Sequence, residues 1–145
     1  MKRPVTSAIT AATFACAMGV TIPAANATTV EDSIIAQVNQ HRVAHGLKPV
    51  MKDANVQGFS EWWAKYMADH LYYKHADTVT GEDRYFENIA KTSAASPDWA
   101  SHAFQMWKKS PGHNGNMLNP TVTKAGAHCY PSDDGYAYCV LNLDW

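Results

Sequence analysis

The chain has only three cysteines in 145 residues, and one of them, Cys16, falls in an opening apolar stretch. Too few thiols remain for disulfide bonds to be the foundation of the fold. Basic residues are not in excess either: 12 Lys and Arg stand against 13 Asp and Glu, for a net charge of −1. Such a balance offers no electrostatic footprint for nucleic acid or for an anionic membrane surface. The one sustained apolar run, residues 8–22, is too short and too rich in alanine and threonine to span a bilayer. Internal repeats, low-complexity tracts and linkers are missing, which points to one domain rather than two. Tyrosine, tryptophan, methionine and histidine are plentiful, but nothing in their spacing forms a haem or flavin motif.

What is present begins with a leader. Met1-Lys2-Arg3 is a short basic start, the apolar run follows, and Ala25-Asn26-Ala27 is a small-x-small cleavage pattern. This is the layout of a secretory signal peptide over residues 1–27. It predicts an exported, extracellular protein whose folded domain is residues 28–145. Thr13-Phe14-Ala15 before Cys16 makes a poor lipoprotein box. Removing the leader takes away Lys2 and Arg3, which leaves ten basic against thirteen acidic side chains and a charge near −3. It also leaves Cys129 and Cys139, an even pair in an oxidising compartment, and a disulfide between them is expected.

Three helices and a hairpin can be read from the pattern. Residues 28–46 have a capping-box spacing at Thr28 and Glu31, an apolar face through Ile34, Ile35 and Val38 that includes Arg42, and Gly46 as a stop. Asp53 is a good N-cap for a second helix ending near His70 or Leu71, with Val56, Phe59, Trp63, Tyr66 and Met67 on its apolar face. Residues 72–83 read as a loop and 85–90 as a short strand. Ser96-Pro97 opens a third helix, with Trp99, Ala100, Ala103, Phe104 and Trp107 facing inward, and Ser110-Pro111 ends it. The same Ser-Pro can start a short turn of helix that holds His113 and stops at Asn119-Pro120. Residues 122–130 and 136–145 form a hairpin around Pro131-Ser132-Asp133-Asp134-Gly135. If Cys129 faces Cys139, then Ala127 faces Leu141 and Ala125 faces Leu143, so bridge and apolar face agree in register. Helices first and an antiparallel hairpin last give an α+β class.

Seven histidines are many for this length. His41 and His45 have helical metal-ligand spacing, but their place on the last turns of an exposed helix favours a plain interaction with the helix dipole. His70 closes the second helix in the same way, His102 reads as exposed, and His128 reads as packed rather than liganding. His75, Glu87 and His113 differ because each lies in or beside a loop, with Asn88, Asn114 and Asn116 close by to fix backbone.

Four motifs in order carry a resemblance. Asn39-x-x-Arg42 with Gly46, Leu47, Pro49 and Val50 is the first, and Phe86-Glu87-Asn88-Ile89-Ala90 the second. Trp107 with Ser110-Pro111-Gly112-His113 and Asn116-Met117-Leu118 is the third, and Gly126 with Asn142 the fourth. Together they resemble the CAP superfamily (the SCP domain of bacterial proteins, cysteine-rich secretory proteins, antigen 5 and pathogenesis-related 1 proteins). The resemblance implies an α-β-α sandwich with a small antiparallel sheet between helical layers and a cleft lined by two histidines and two glutamates. Carried onto this chain, these are His75, Glu87 and His113, while Ser110 stands where the second glutamate would be.

Two neutral imidazoles with a carboxylate predict a site for Zn²⁺ or another divalent cation at His75, Glu87 and His113. The aromatic edge Tyr72, Tyr73, Tyr85 and Phe86 predicts a small or apolar ligand, and relatives have been linked to sterol and fatty-acid binding. A monomeric binding module with no membrane span and no nucleic-acid partner is therefore expected, in preference to an enzyme. The alternatives are a metal-assisted extracellular hydrolase with Glu87 as base, a serine hydrolase using Ser110, and an extracellular antioxidant or cofactor-binding protein.

Overall fold

Helix α1 occupies Val30–Ala44 in a computed structural model that describes residues 28–77 and 85–145. The expected leader at 1–27 and much of the expected loop at 72–83 lie outside the described residues. The cap of α1 is Thr29 rather than Thr28: its Oγ1 accepts from the Asp32 amide at 3.3 Å. The helix ends as expected, with Gly46 at φ +74° just past it, a conformation that glycine adopts without strain. A two-residue strand β1, Met51–Lys52, follows; nothing in the pattern predicted it.

Asp53 then caps α2, Ala54–His70, accepting from the amides of Asn55 and Val56. Its buried face is Val56, Gln57, Ser60, Trp63, Ala64, Met67 and Ala68. Phe59 and Tyr66, expected inside, lie one position off this stripe and form part of an aromatic surface instead. Strand β2 is Phe86–Ser93. Helix α3, Trp99–Lys109, starts two residues later than the Ser-Pro signal suggested, because Asp98 rather than Ser96 caps it. Helix α4, Pro111–Met117, is the short helical turn expected around His113. The hairpin is β3, Lys124–Pro131, with β4, Tyr136–Asp144.

The four strands form one sheet in the order β1-β3-β4-β2. The hairpin register matches the one that the cysteines implied: Cys129 opposite Cys139, Ala127 opposite Leu141, Ala125 opposite Leu143. The Cys129–Cys139 disulfide is formed. The expected purely antiparallel sheet needs one correction, since β1 runs parallel to β3. Helices α1 and α3 cover one face over Ile34, Val38, Phe104, Trp107, Leu141 and Leu143. Helix α2 covers the other over Trp63, Met67, Ile89, Tyr138 and Val140. The result is the α-β-α sandwich. Helix α2 packs so closely on β3 that a Cβ at Gly126 would overlap the backbone of Val56 and Gln57. Only glycine fits there.

Candidate functional site

Among the described residues β2 is an edge strand, and the site is built around that edge. Glu87 and Asn88 are neighbours in β2, so their side chains leave the sheet on opposite faces. Asn88 is fully buried; its Nδ2 donates to the His113 carbonyl at 3.0 Å, and its Oδ1 accepts from Asn116 Nδ2 at 2.9 Å. These bonds clamp α4 against β2. From below, His41 Nε2 donates to Asn114 Oδ1 at 2.7 Å. His41 is therefore buried, and its reading as an exposed helix residue is wrong; His45 is the exposed one. The 41/45 spacing stacks the His45 ring edge-on against that of His41, and Phe104 packs on the His41 ring edge.

Arg42 completes the support. Its side chain is 1% exposed and donates to four backbone carbonyls: Lys48, Met117, Asn119 and Val122, at 2.8–3.3 Å. Two of these acceptors lie at the end of α4 and just beyond it. Burial holds the guanidinium pKa below its ordinary value. Sequence reasoning placed Arg42 on the inner face but missed this role; the signal available was a cation in an otherwise apolar stripe.

On the other side of the edge, Glu87 reaches toward the segment after α2. Its Oε1 accepts from His75 Nδ1 at 2.8 Å and from the Ala76 amide at 3.0 Å. Its Oε2 is buried without a hydrogen-bond partner among the described residues. Burial raises the Glu87 pKa against the lowering effect of His75 and the Ala76 amide. The rings of His75 and His113 are 6.2 Å apart between centroids. Burial, with the neighbouring His75 adding to it, lowers the His113 pKa and favours the neutral imidazole. Three residues distant in sequence thus lie side by side at the β2 edge, although their ligand atoms do not all draw within 4.8 Å of one another as Glu31, Glu61 and His128 do. Ser110 caps α4 by position alone, its hydroxyl making no capping bond.

The four aromatic candidates divide. Tyr72 packs edge-on against Trp63 and Tyr66. Tyr85 lies against Phe59 at 5.1 Å. Tyr73 meets Tyr138 and donates weakly to the Ile89 carbonyl. Phe86 instead packs into the α1/α3 core and against Trp145. A groove of about 310 Å³ runs along α2, lined by Phe59, Trp62, Trp63, Tyr66, Tyr72, Ala76 and Asp77. Trp62 is 55% exposed in it. Ala76 belongs to both regions: it lines this groove and its amide holds Glu87. The stack of Trp62, Trp63 and Tyr66 was not foreseen as a surface.

A family model described as the cysteine-rich secretory protein family, CAP, matches residues 35–143. The chain belongs to the CAP family. Comparison with curated proteins gives no significant match. Among solved structures, an extracellular SCP-domain protein from Bacillus anthracis superposes with a TM-score of 0.61 at 24% identity, covering 79% of this chain and 40% of that one. An outer surface protein of Borrelia burgdorferi has a TM-score of 0.61 at 13% identity, covering 77% and 88%. NaASP2, whose crystal structure is described with Zn²⁺, has a TM-score of 0.61 at 16% identity, covering 77% and 76%. At these identities the likeness concerns the fold. Among the described residues of this CAP domain, no helix is long and apolar enough to cross a membrane.

Proposed function

We propose that this CAP protein is an exported, monomeric binding module whose mature domain is residues 28–145. Its ligand has an apolar or planar body and a polar end. The observation that carries this reading is the position of Ala76, which lines the aromatic groove while its amide bonds Glu87, the neighbour of His75. Flat side chains along the groove supply contact area at low entropic cost, and the His75–Glu87–His113 group supplies the few polar atoms that orient a ligand.

In this reading the same three residues also take a weakly held divalent ion such as Zn²⁺, the ion described with NaASP2. Glu87 holds His75 by Nδ1 and so presents Nε2 outward, as an outer carboxylate does for a liganding histidine. His113 is kept neutral by burial, and Glu87 Oε2 lacks a partner among the described residues. Two imidazoles would hold the ion, which when bound supplies a Lewis acid to polarise an oxygen of the ligand. Glu87 fixes the tautomer of His75, and α4 fixes His113. The raised pKa of Glu87 favours a second reading, metal-assisted hydrolysis with Glu87 as base.

Titration of the protein with a long-chain fatty acid and a sterol, followed by tryptophan fluorescence, tests the binding reading. Saturable quenching that is lost in Trp62→Ala is expected. No saturable change with either probe, or an unchanged curve in Trp62→Ala, contradicts it. An ester and peptide panel without turnover disposes of the hydrolytic reading.

A further inference from the structure

The opposite edge of the sheet gathers a second set of donors. Strand β1 covers only Lys124 and Ala125, so among the described residues β3 beyond Ala125 has no strand on its outer side. Gln57 fills part of that gap with its side chain: Nε2 donates to the Ala127 carbonyl at 2.8 Å and Oε1 accepts from the Ala127 amide at 3.1 Å. The same Nε2 holds Glu61 Oε1 at 2.9 Å, which places the Glu61 carboxylate beside His128. Glu31 arrives from the first turn of α1, on the other side of the sheet. One ligand atom from each of Glu31, Glu61 and His128 lies within 4.8 Å of the others.

The hydrogen bonding leaves this group incomplete. His128 Nδ1 is buried and has no hydrogen-bond partner among the described residues. It faces Glu31 Oε2 at 3.6 Å. That is too long for a hydrogen bond. It is close to the separation of about 3.3 Å expected of two ligands, each about 2.0 Å from a shared tetrahedral ion. The nearby cation, Lys52, is committed elsewhere: its ammonium bonds Asp32 at 2.8 Å and approaches only the other oxygen of Glu31, at 3.7 Å. Two carboxylates and an imidazole, from three elements and both faces of the sheet, therefore point at one small volume.

We propose that Glu31, Glu61 and His128 form a divalent-cation site, distinct from the cleft, that takes a borderline transition ion such as Zn²⁺ and ties α1 to α2 across the open edge of β3. One imidazole nitrogen with two carboxylate oxygens suits Zn²⁺ better than the all-oxygen shells of Ca²⁺ or Mg²⁺. Three protein ligands leave a position for water. The ion offsets the charge of two glutamates that Lys52 meets only in part, and it replaces a missing strand contact by a clamp.

Calorimetric titration of chelator-treated protein with Zn²⁺ alone, joined to thermal unfolding, tests the site. Wild type is expected to bind and to unfold at higher temperature with Zn²⁺. Glu61→Gln, at an exposed position that does not threaten the fold, and His128→Gln are each expected to weaken this binding at least tenfold, since even outer partners of a metal ligand cost ~10–100-fold. Both should also remove most of the thermal gain, while His113→Ala should keep most of it. Absence of Zn²⁺ binding in wild type overturns the proposal. So does binding that His113→Ala abolishes and Glu61→Gln leaves unchanged. If His128→Gln fails to fold, Glu61→Gln decides alone.

Discussion

Glu87 has one oxygen with two donors and one with no partner among the described residues, and its burial has a pH signature. Its folded pKa is raised by burial above the ordinary 4.5. A raised carboxyl contributes stability that is present below the unfolded pKa and is lost as pH rises through the folded one. His113 has the opposite displacement, below the ordinary 6.5, so its contribution is present above 6.5 and is lost as pH falls through the depressed folded value. Glu87→Gln should therefore abolish a decline in stability that wild type shows as pH rises from about 4.5. His113→Asn should soften the decline on the acid side of 6.5. Urea denaturation across a pH series measures both. The residue types of this site were legible from sequence, because histidine and glutamate beside loops are chemically conspicuous. The unpaired Oε2 was not, since it depends on how β2 and the segment after α2 meet.

At the scale of elements, the question is what keeps α4, a seven-residue helix containing two glycines, in place. Its own propensity is poor. Asn88, His41 and above all Arg42 hold it from three directions. A lysine at position 42 has one ammonium group and cannot reach four carbonyls that a planar fork spans. Arg42→Lys should cost about 3 kcal/mol or more, read as a lower urea midpoint, because hydrogen bonds from a charged group are each worth about 1.5–3 kcal/mol. It should also weaken any binding that uses His113, which rides on α4. Helix ends and faces were read well where a local signal decides them: Asp53, Gly46 and Ser110-Pro111 all mark real boundaries. They failed where a competing neighbour was better placed, as Thr29 beside Thr28 and Asp98 beside Ser96. On α2 the aromatic side chains of Phe59 and Tyr66 drew the expected stripe away from Gln57 and Ser60, which lie on the buried face. Those two are buried because they bond the backbone of β3.

For the molecule as a whole, the register of the hairpin was legible because the cysteine pair fixes it, while β3 begins at Lys124, two residues later than expected. Strand β1 was not, because two exposed residues give no periodicity; only their pairing with Lys124 and Ala125 defines them. The meeting of both faces around each sheet edge is also beyond local pattern. The disulfide is both buried and short-range, linking residues ten apart in sequence, with Cys139 fully enclosed. It constrains the unfolded hairpin by up to about 3 kcal/mol and leaves the helical packing to hold the fold. The double variant Cys129→Ala/Cys139→Ala should therefore still fold, with a lower urea midpoint. Loss of cooperative unfolding would show the bridge to be essential.

The proposed function requires His75, Glu87 and His113 to act together at the β2 edge. Anomalous diffraction from crystals soaked in Zn²⁺ tests this most directly. A zinc peak between the His75 and His113 rings is the predicted result; a well-ordered cleft with no peak there, in crystals whose zinc is bound elsewhere, would contradict it.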